Sequence, residues 1–101
     1  MRPRVPWMNE TDDAILEFFA ELESAGFRIW LSPTPVWINA TQNLDVLDKS
    51  RDTISRRMVK LAEMGLLERT DKKRGYYRIT DKGGAYLDGE LDADDLLPPD
   101  Q

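Results

Sequence analysis

Apolar residues recur along this chain in two rhythms, and the change from one to the other divides it into helices and a hairpin. Ile15, Phe18, Phe19 and Leu22 return at the 3.6-residue spacing of one helix face. The spacing predicts a helix from Thr11 to Ser24. Thr11 is the expected N-cap, Asp12 and Asp13 sit in the first turn where the helix dipole favours anions, and Gly26 closes the helix in the left-handed position. Phe27 to Leu31 is aromatic and β-branched, which suits a short strand or an extended connection. Ser32-Pro33 is an N-cap followed by proline at the first helical position, opening a short helix to about Thr41 with Val36, Trp37 and Ala40 facing inward.

The helical rhythm stops between Gln42 and Lys49. Asn43, Asp45 and Asp48 favour a turn, with Leu44, Val46 and Leu47 tacking it onto the core. Ser50 caps a further helix, Arg51 to Met64, that ends at Gly65. Ile54, Met58, Leu61 and Ala62 cluster on one of its faces. Thr53, Arg56 and Lys60 lie opposite with Asp52 and Glu63, and Arg57 occupies the flank. Alternation with a period of two follows. Leu66–Thr70 and Tyr76–Thr80 bracket the polar turn Asp71-Lys72-Lys73-Arg74-Gly75 as a hairpin, in which either Tyr77 and Ile79 or Tyr76 and Arg78 face the core. Thr80 caps a last helix holding Ala85, Tyr86 and Leu87, Leu97-Pro98-Pro99 stops any helix, and the final residues are expected to fray.

Charge changes how these elements are read. The net charge of −5 argues against a polyanion partner, but its distribution argues for one. Between Lys49 and Lys82 eleven basic residues face five acidic ones, a balance of +6, while the rest of the chain carries −11. Binding follows the local field more than the total. A solvated charged face would show the same numbers, so charge alone leaves both readings open. Composition excludes more firmly. With no cysteine there is no disulfide framework or thiolate metal site, and with no histidine there is no Ser-His triad and no imidazole metal ligand. No Asp/Glu motif has metal-ligand spacing, so neither an enzyme nor a cofactor is expected. No apolar run approaches the ~18 residues of a membrane span, and no apolar stretch follows the basic start, so a cytoplasmic protein without membrane contact is expected.

The order of elements carries the functional reading. The second helix of a helix pair bears basic and hydroxyl side chains away from its own core, and a hairpin tipped by Lys72, Lys73 and Arg74 follows at once. A major groove admits one α-helix whose Arg, Ser or Thr side chains reach base edges, and a basic loop beside it grips flanking phosphates. The run Ser50-Arg-Asp-Thr-Ile-Ser-Arg-Arg-Met-Val-Lys-Leu-Ala-Glu-Met-Gly-Leu-Leu-Glu-Arg69 resembles the recognition helix and first wing strand of winged-helix regulators. Gly75-Tyr-Tyr-Arg-Ile-Thr-Asp-Lys-Gly83 resembles their second wing strand entering the next helix. The resemblance spans about Asp13 to Leu91. It is closest to the phage-repressor-like winged-helix regulators of halophilic archaea, and looser to the multiple-antibiotic-resistance regulator superfamily.

The resemblance implies an α+β, mostly helical fold, a winged helix-turn-helix with a three-helix core, a β-hairpin wing and a C-terminal helix. It also implies sequence-specific binding of double-stranded DNA as a homodimer in transcriptional control. The expected layout is an N-terminal arm over 1–10, the winged helix over 11–91 and an acidic tail over 92–101. Helix 51–64 would enter the major groove and wing 71–75 would rest on phosphates. Candidate contacts are Ser50, Arg51, Asp52, Thr53, Ser55, Arg56, Arg57 and Lys60 on the helix, with Lys72, Lys73, Arg74 and Tyr76 on the wing. Several have second readings: Ser50 as a cap, Arg57 as a carboxylate partner, Tyr76 as a cross-strand packer. Trp7, Tyr86 and Leu91 are candidate dimer contacts. The competing function is a winged helix that binds an acidic protein. Any small-molecule effector is unknown, because an apolar pocket leaves little trace in sequence. Twelve aspartates against five lysines, with the excess acid outside the basic window, also suit a salt-rich cytoplasm.

Overall fold

The first helix begins earlier than its apolar stripe suggests. In the computed structural model, which describes residues 2–3, 5–26, 29–43, 48–70 and 75–97, α1 runs Glu10–Ser24 and its N-cap is Asn9, not Thr11. Asn9 Oδ1 accepts from the N–H groups of Thr11 and Asp12 at 2.9 and 3.3 Å, and the Asp12 carboxylate accepts from the Asn9 N–H at 2.9 Å. This reciprocal box satisfies more of the exposed first-turn donors than a threonine cap would. The buried stripe is Ile15, Leu16 and Phe19, while Phe18 and Leu22 are half-buried on its edge.

Helix α2 (Pro33–Trp37) continues into a wider π-helical turn, Ile38–Asn43. Val36 and Ala40 are buried as expected. Trp37 stays half-exposed, and its indole N–H donates to the Lys49 carbonyl at 3.1 Å, tying the chain down just before the next helix. The expected tacking by Leu44, Val46 and Leu47 lies outside the described residues. Helix α3 (Arg51–Glu63) is capped by Ser50, whose hydroxyl accepts from the Thr53 N–H at 3.2 Å. Gly65 follows at φ +82°, a left-handed turn that lets the Leu66 N–H return to the Leu61 carbonyl at 2.9 Å.

Strands β1 (Leu67–Arg69) and β2 (Tyr77–Ile79) pair antiparallel, with Leu67 opposite Ile79, Glu68 opposite Arg78 and Arg69 opposite Tyr77. Tyr77 and Ile79 are the inward pair. Of the expected strand at 27–31, Leu31 alone among the described residues pairs, exchanging two 2.8 Å hydrogen bonds with Tyr77. The chain then turns through Ser32 into Pro33, which has no N–H to extend a ladder. Thr80 caps α4 (Asp81–Leu87) by accepting from Gly83.

The core gathers Ile15, Leu16 and Phe19 of α1, Val36 of α2, Ile54, Met58 and Leu61 of α3, the hairpin's Leu67, Tyr77 and Ile79, and Tyr86 of α4. Tyr86 is therefore a core residue and not a dimer contact. Its ring is 1% exposed and its hydroxyl donates to Asp13. Both ends of the chain add to the core as well. Val5 and Leu96 are buried in it, and the Trp7 indole N–H donates to the Leu96 carbonyl at 2.6 Å, at the end of a short 3-10 turn, Ala93–Leu96.

Candidate nucleic-acid interface

Burying Ile54, Met58 and Leu61 forces the opposite face of α3 outward, and that face carries Asp52, Arg56, Val59 and Glu63. Arg51, at the first helical position, is also exposed, and one of its guanidinium nitrogens donates to Thr34 Oγ1 at 3.2 Å. Thr53 and Ser55 are half-exposed on the two shoulders. The Ser50 hydroxyl is occupied by its cap and lies 3.0 Å from Thr53 Oγ1. Of its two readings, the cap is the one present in the structure.

Two of the expected contacts are drawn off this face. Arg57 points back across the core edge to α1. Its Nε and Nη2 donate to the two oxygens of Asp12 at 2.8 and 2.7 Å, and Nη2 also reaches the Trp7 carbonyl at 2.7 Å. The Asp12 side chain is completely buried, so this bidentate pair is its only source of compensating positive charge among the described ion pairs. The hydrogen bond to Asp12 raises the Arg57 pKa above its ordinary value, against the opposing effect of desolvation. The carboxylate-pairing alternative for Arg57 is thus the one realised. Lys60 turns the same way, its Nζ 5.6 Å from the centre of the Trp7 ring. The outward face is narrower than a helical wheel implies because the N-terminal segment covers the flank at 57 and 60.

The tip residues Lys72, Lys73 and Arg74 lie outside the described residues. The strands that present them are described. Tyr76 is exposed, and its backbone carbonyl accepts from the Thr70 N–H at 3.0 Å across the base of the loop. Gly75 has φ +63°. On the outer face of the sheet, Arg78 lies over the Trp30 ring at 5.4 Å, with Nε 2.9 Å from the Glu68 carboxylate. On the inner face Arg69 follows Leu67 by two residues, and its guanidinium carbon is 5.4 Å from the centre of the Tyr77 ring. A small open cleft of about 200 Å³ separates α3 from the wing, lined by Pro33, Arg51, Ser55, Val59, Arg69, Gly75 and Tyr77.

Sequence reasoning missed Arg69 and Val59. Strand alternation held the signal for Arg69, since it shares a side with buried Leu67 and so turns toward α3. Val59 is 37% exposed on the outward face, an apolar side chain displaced from the core stripe. Among the described residues no group of acidic side chains could hold a metal ion, and no helix is long and apolar enough to cross a membrane.

A helix pair, a second helix with an outward polar face, and an antiparallel hairpin directly after it define a winged helix-turn-helix protein. The chain belongs to the winged helix-turn-helix phage repressor family, whose sequence model matches residues 1–98. It is 35% identical to the repressor protein of Halobacterium phage phiH over 97 residues, 95% of this chain and 97% of that protein. Its fold is similar to the crystal structure of the PhiH1 repressor-like protein from Haloarcula marismortui, with a TM-score of 0.72 and 36% identity over 92% of this chain and 91% of that one. The family is one of winged-helix repressors, and membership in it points to a DNA-binding regulator.

Proposed function

We propose that this protein is a cytoplasmic, sequence-specific repressor of transcription that binds double-stranded DNA as a homodimer, in a salt-rich cell. The observation that carries the reading is the outward face of α3. It stands clear of the core, with Arg56 at its centre and Asp52, Thr53, Ser55 and Val59 around it, beside a wing whose loop sequence is Asp71-Lys72-Lys73-Arg74-Gly75. Arg56 donates in pairs to a guanine edge, Asp52 accepts from a cytosine amino group, and Val59 offers apolar contact to a thymine methyl. The loop lysines and arginine supply phosphate affinity that is independent of sequence. One reading helix contacts few bases, and a two-fold dimer doubles the site with half-sites about one helical turn apart.

Selection of bound duplexes from a random library tests the whole reading, because a palindromic winner requires both specificity and dimerisation. On that winner Arg56→Ala is expected to cost ~1–3 kcal/mol and to relax preference at one base position. Unchanged affinity in that variant would remove α3 as the reader. Sedimentation showing only monomer, free and on DNA, would remove the dimer.

A further inference from the structure

We propose that Asp52 determines specificity by repulsion: at the leading end of the reading helix its carboxylate rejects base pairs that turn no amino group toward it. This rests on the DNA-binding reading above, which gives Asp52 an attractive contact with cytosine. The inference goes further, to an effect of opposite sign on all other DNA.

Asp52 is the second residue of α3, exposed on the outward stripe that it shares with Arg56, Val59 and Glu63. At 3.6 residues per turn these four fall within about 60° of one another. The whole helix carries four basic residues (Arg51, Arg56, Arg57, Lys60) against two acidic ones, yet both acidic residues and only one of the basic ones lie on this stripe. The other cations lean elsewhere: Arg57 and Lys60 toward the N-terminal segment, Arg51 toward Thr34 of α2. The stripe that the reading turns to DNA is therefore the acidic side of a basic helix. Affinity for phosphates alone would be served by the reverse arrangement.

Position decides what the carboxylate meets. The first residues of a reading helix lie against base edges, and helix side chains tilt toward the N-terminus. Asp52 thus lies about 6 Å ahead of Arg56 along the axis, a shift of about two base pairs. In the major groove cytosine and adenine present amino donors, whereas guanine and thymine present acceptors. Adenine also sets its N7 acceptor beside the amino group, where it repels the second carboxylate oxygen, so cytosine is the favoured partner. Against any other base the charge stays among acceptors and phosphates. A side chain as short as aspartate cannot carry its charge back out to bulk water as a long one does. Two like charges 4 Å apart in water lower an association constant about five-fold, and a groove that excludes water enlarges the factor.

The experiment measures binding of the full chain to its library-selected duplex and to an arbitrary duplex of equal length, in potassium chloride from about 0.1 M to about 1 M. Asp52→Asn is expected to bind the arbitrary duplex about five-fold or more tightly than the parent at low salt, a gain that fades as screening sets in. Asparagine pairs with adenine N6 and N7, so reselection with this variant should move the preference at one position per half-site from cytosine to adenine. Glu63→Gln makes the same charge change on the same stripe about 16 Å further along, and should keep the parent's base preference and its ratio of the two affinities. A purely structural role for Asp52, as a first-turn partner of the helix dipole, predicts the opposite sign, because a frayed helix binds every duplex less well. If Asp52→Asn fails to fold, Asp52→Ser supplies the neutral variant for the affinity arm. The proposal is overturned if the neutral variant binds the arbitrary duplex no better than the parent, or if Glu63→Gln changes the ratio as much. Should Arg56→Ala still weaken the selected duplex in that event, the reading helix stands and the repulsion alone falls. A parent that binds no duplex overturns both.

Discussion

Replacing Arg57 with methionine is expected to damage folding far more than DNA binding. Asp12 is 0% exposed, and Arg57 gives it two donors at 2.7–2.8 Å across the α1–α3 interface. Methionine keeps most of the aliphatic stem and removes the fork, leaving a buried carboxylate without its counter-charge. Breaking a fully buried pair from one side costs ~3–5 kcal/mol. Two features lower the figure here: the Arg57 side chain keeps 24% exposure, and Asp12 still accepts from the Asn9 N–H at 2.9 Å. The expected loss is about 2–4 kcal/mol. For a domain of this size that lowers the melting midpoint by roughly 10–30 °C. Adding Asp12→Asn should recover part of it, because asparagine keeps an acceptor for the cap while removing the uncompensated charge. Thermal melts followed by circular dichroism, with urea titrations of all four members of the cycle, read both effects. A single Arg57→Met variant that melts within a degree or two of the parent yet binds DNA much more weakly would refute the reasoning and return Arg57 to the phosphate contacts.

Three further outcomes are expected. Gly83→Ala should be strongly destabilising, because a Cβ there would lie 2.3 Å from the Leu66 carbonyl oxygen and 2.7 Å from Ile79 Cγ1, whereas Gly84→Ala in the same helix meets nothing within 4 Å and should stabilise by about 0.5–1 kcal/mol. Paired melts of the two variants check this, and similar midpoints would contradict it. Replacing Lys72, Lys73 and Arg74 by alanine should leave the melting midpoint near the parent's and flatten the salt slope by up to about three contacts' worth on every duplex. A changed base preference with an unchanged slope would count against the phosphate role. Potassium chloride towards molar concentrations should raise the melting midpoint, because Glu10, Asp13, Glu17, Glu21 and Glu23 crowd α1 and, in the described ion pairs, only Glu17 has a cation, Arg2 at 2.6 Å. A flat or falling midpoint would argue against salt adaptation.

Local chemistry was enough to read the element order, the Ser50 and Thr80 caps, the inward stripe of α3 and the hairpin, because each depends on neighbours within a few residues. The basic middle of the chain was legible for the same reason, as was the family resemblance carried by residues 50–69 and 75–83. What the sequence could not assign were partners distant along the chain. Arg57 and Lys60 sit on α3 at angles that a wheel leaves near the solvent side, and contacts with Asp12, 45 residues away, and with the Trp7 ring turn them to the N-terminal segment. Tyr86 looked like surface until its hydroxyl met Asp13, 73 residues earlier. Leu96 looked like part of an acidic tail until the core took it in beside Trp7. Arg69 and Arg51 line one cleft only because the sheet folds back over α3. Periodicity specifies which way a side chain leaves its own helix or strand. What it meets there is decided by how elements pack, through long-range contacts that no local pattern encodes.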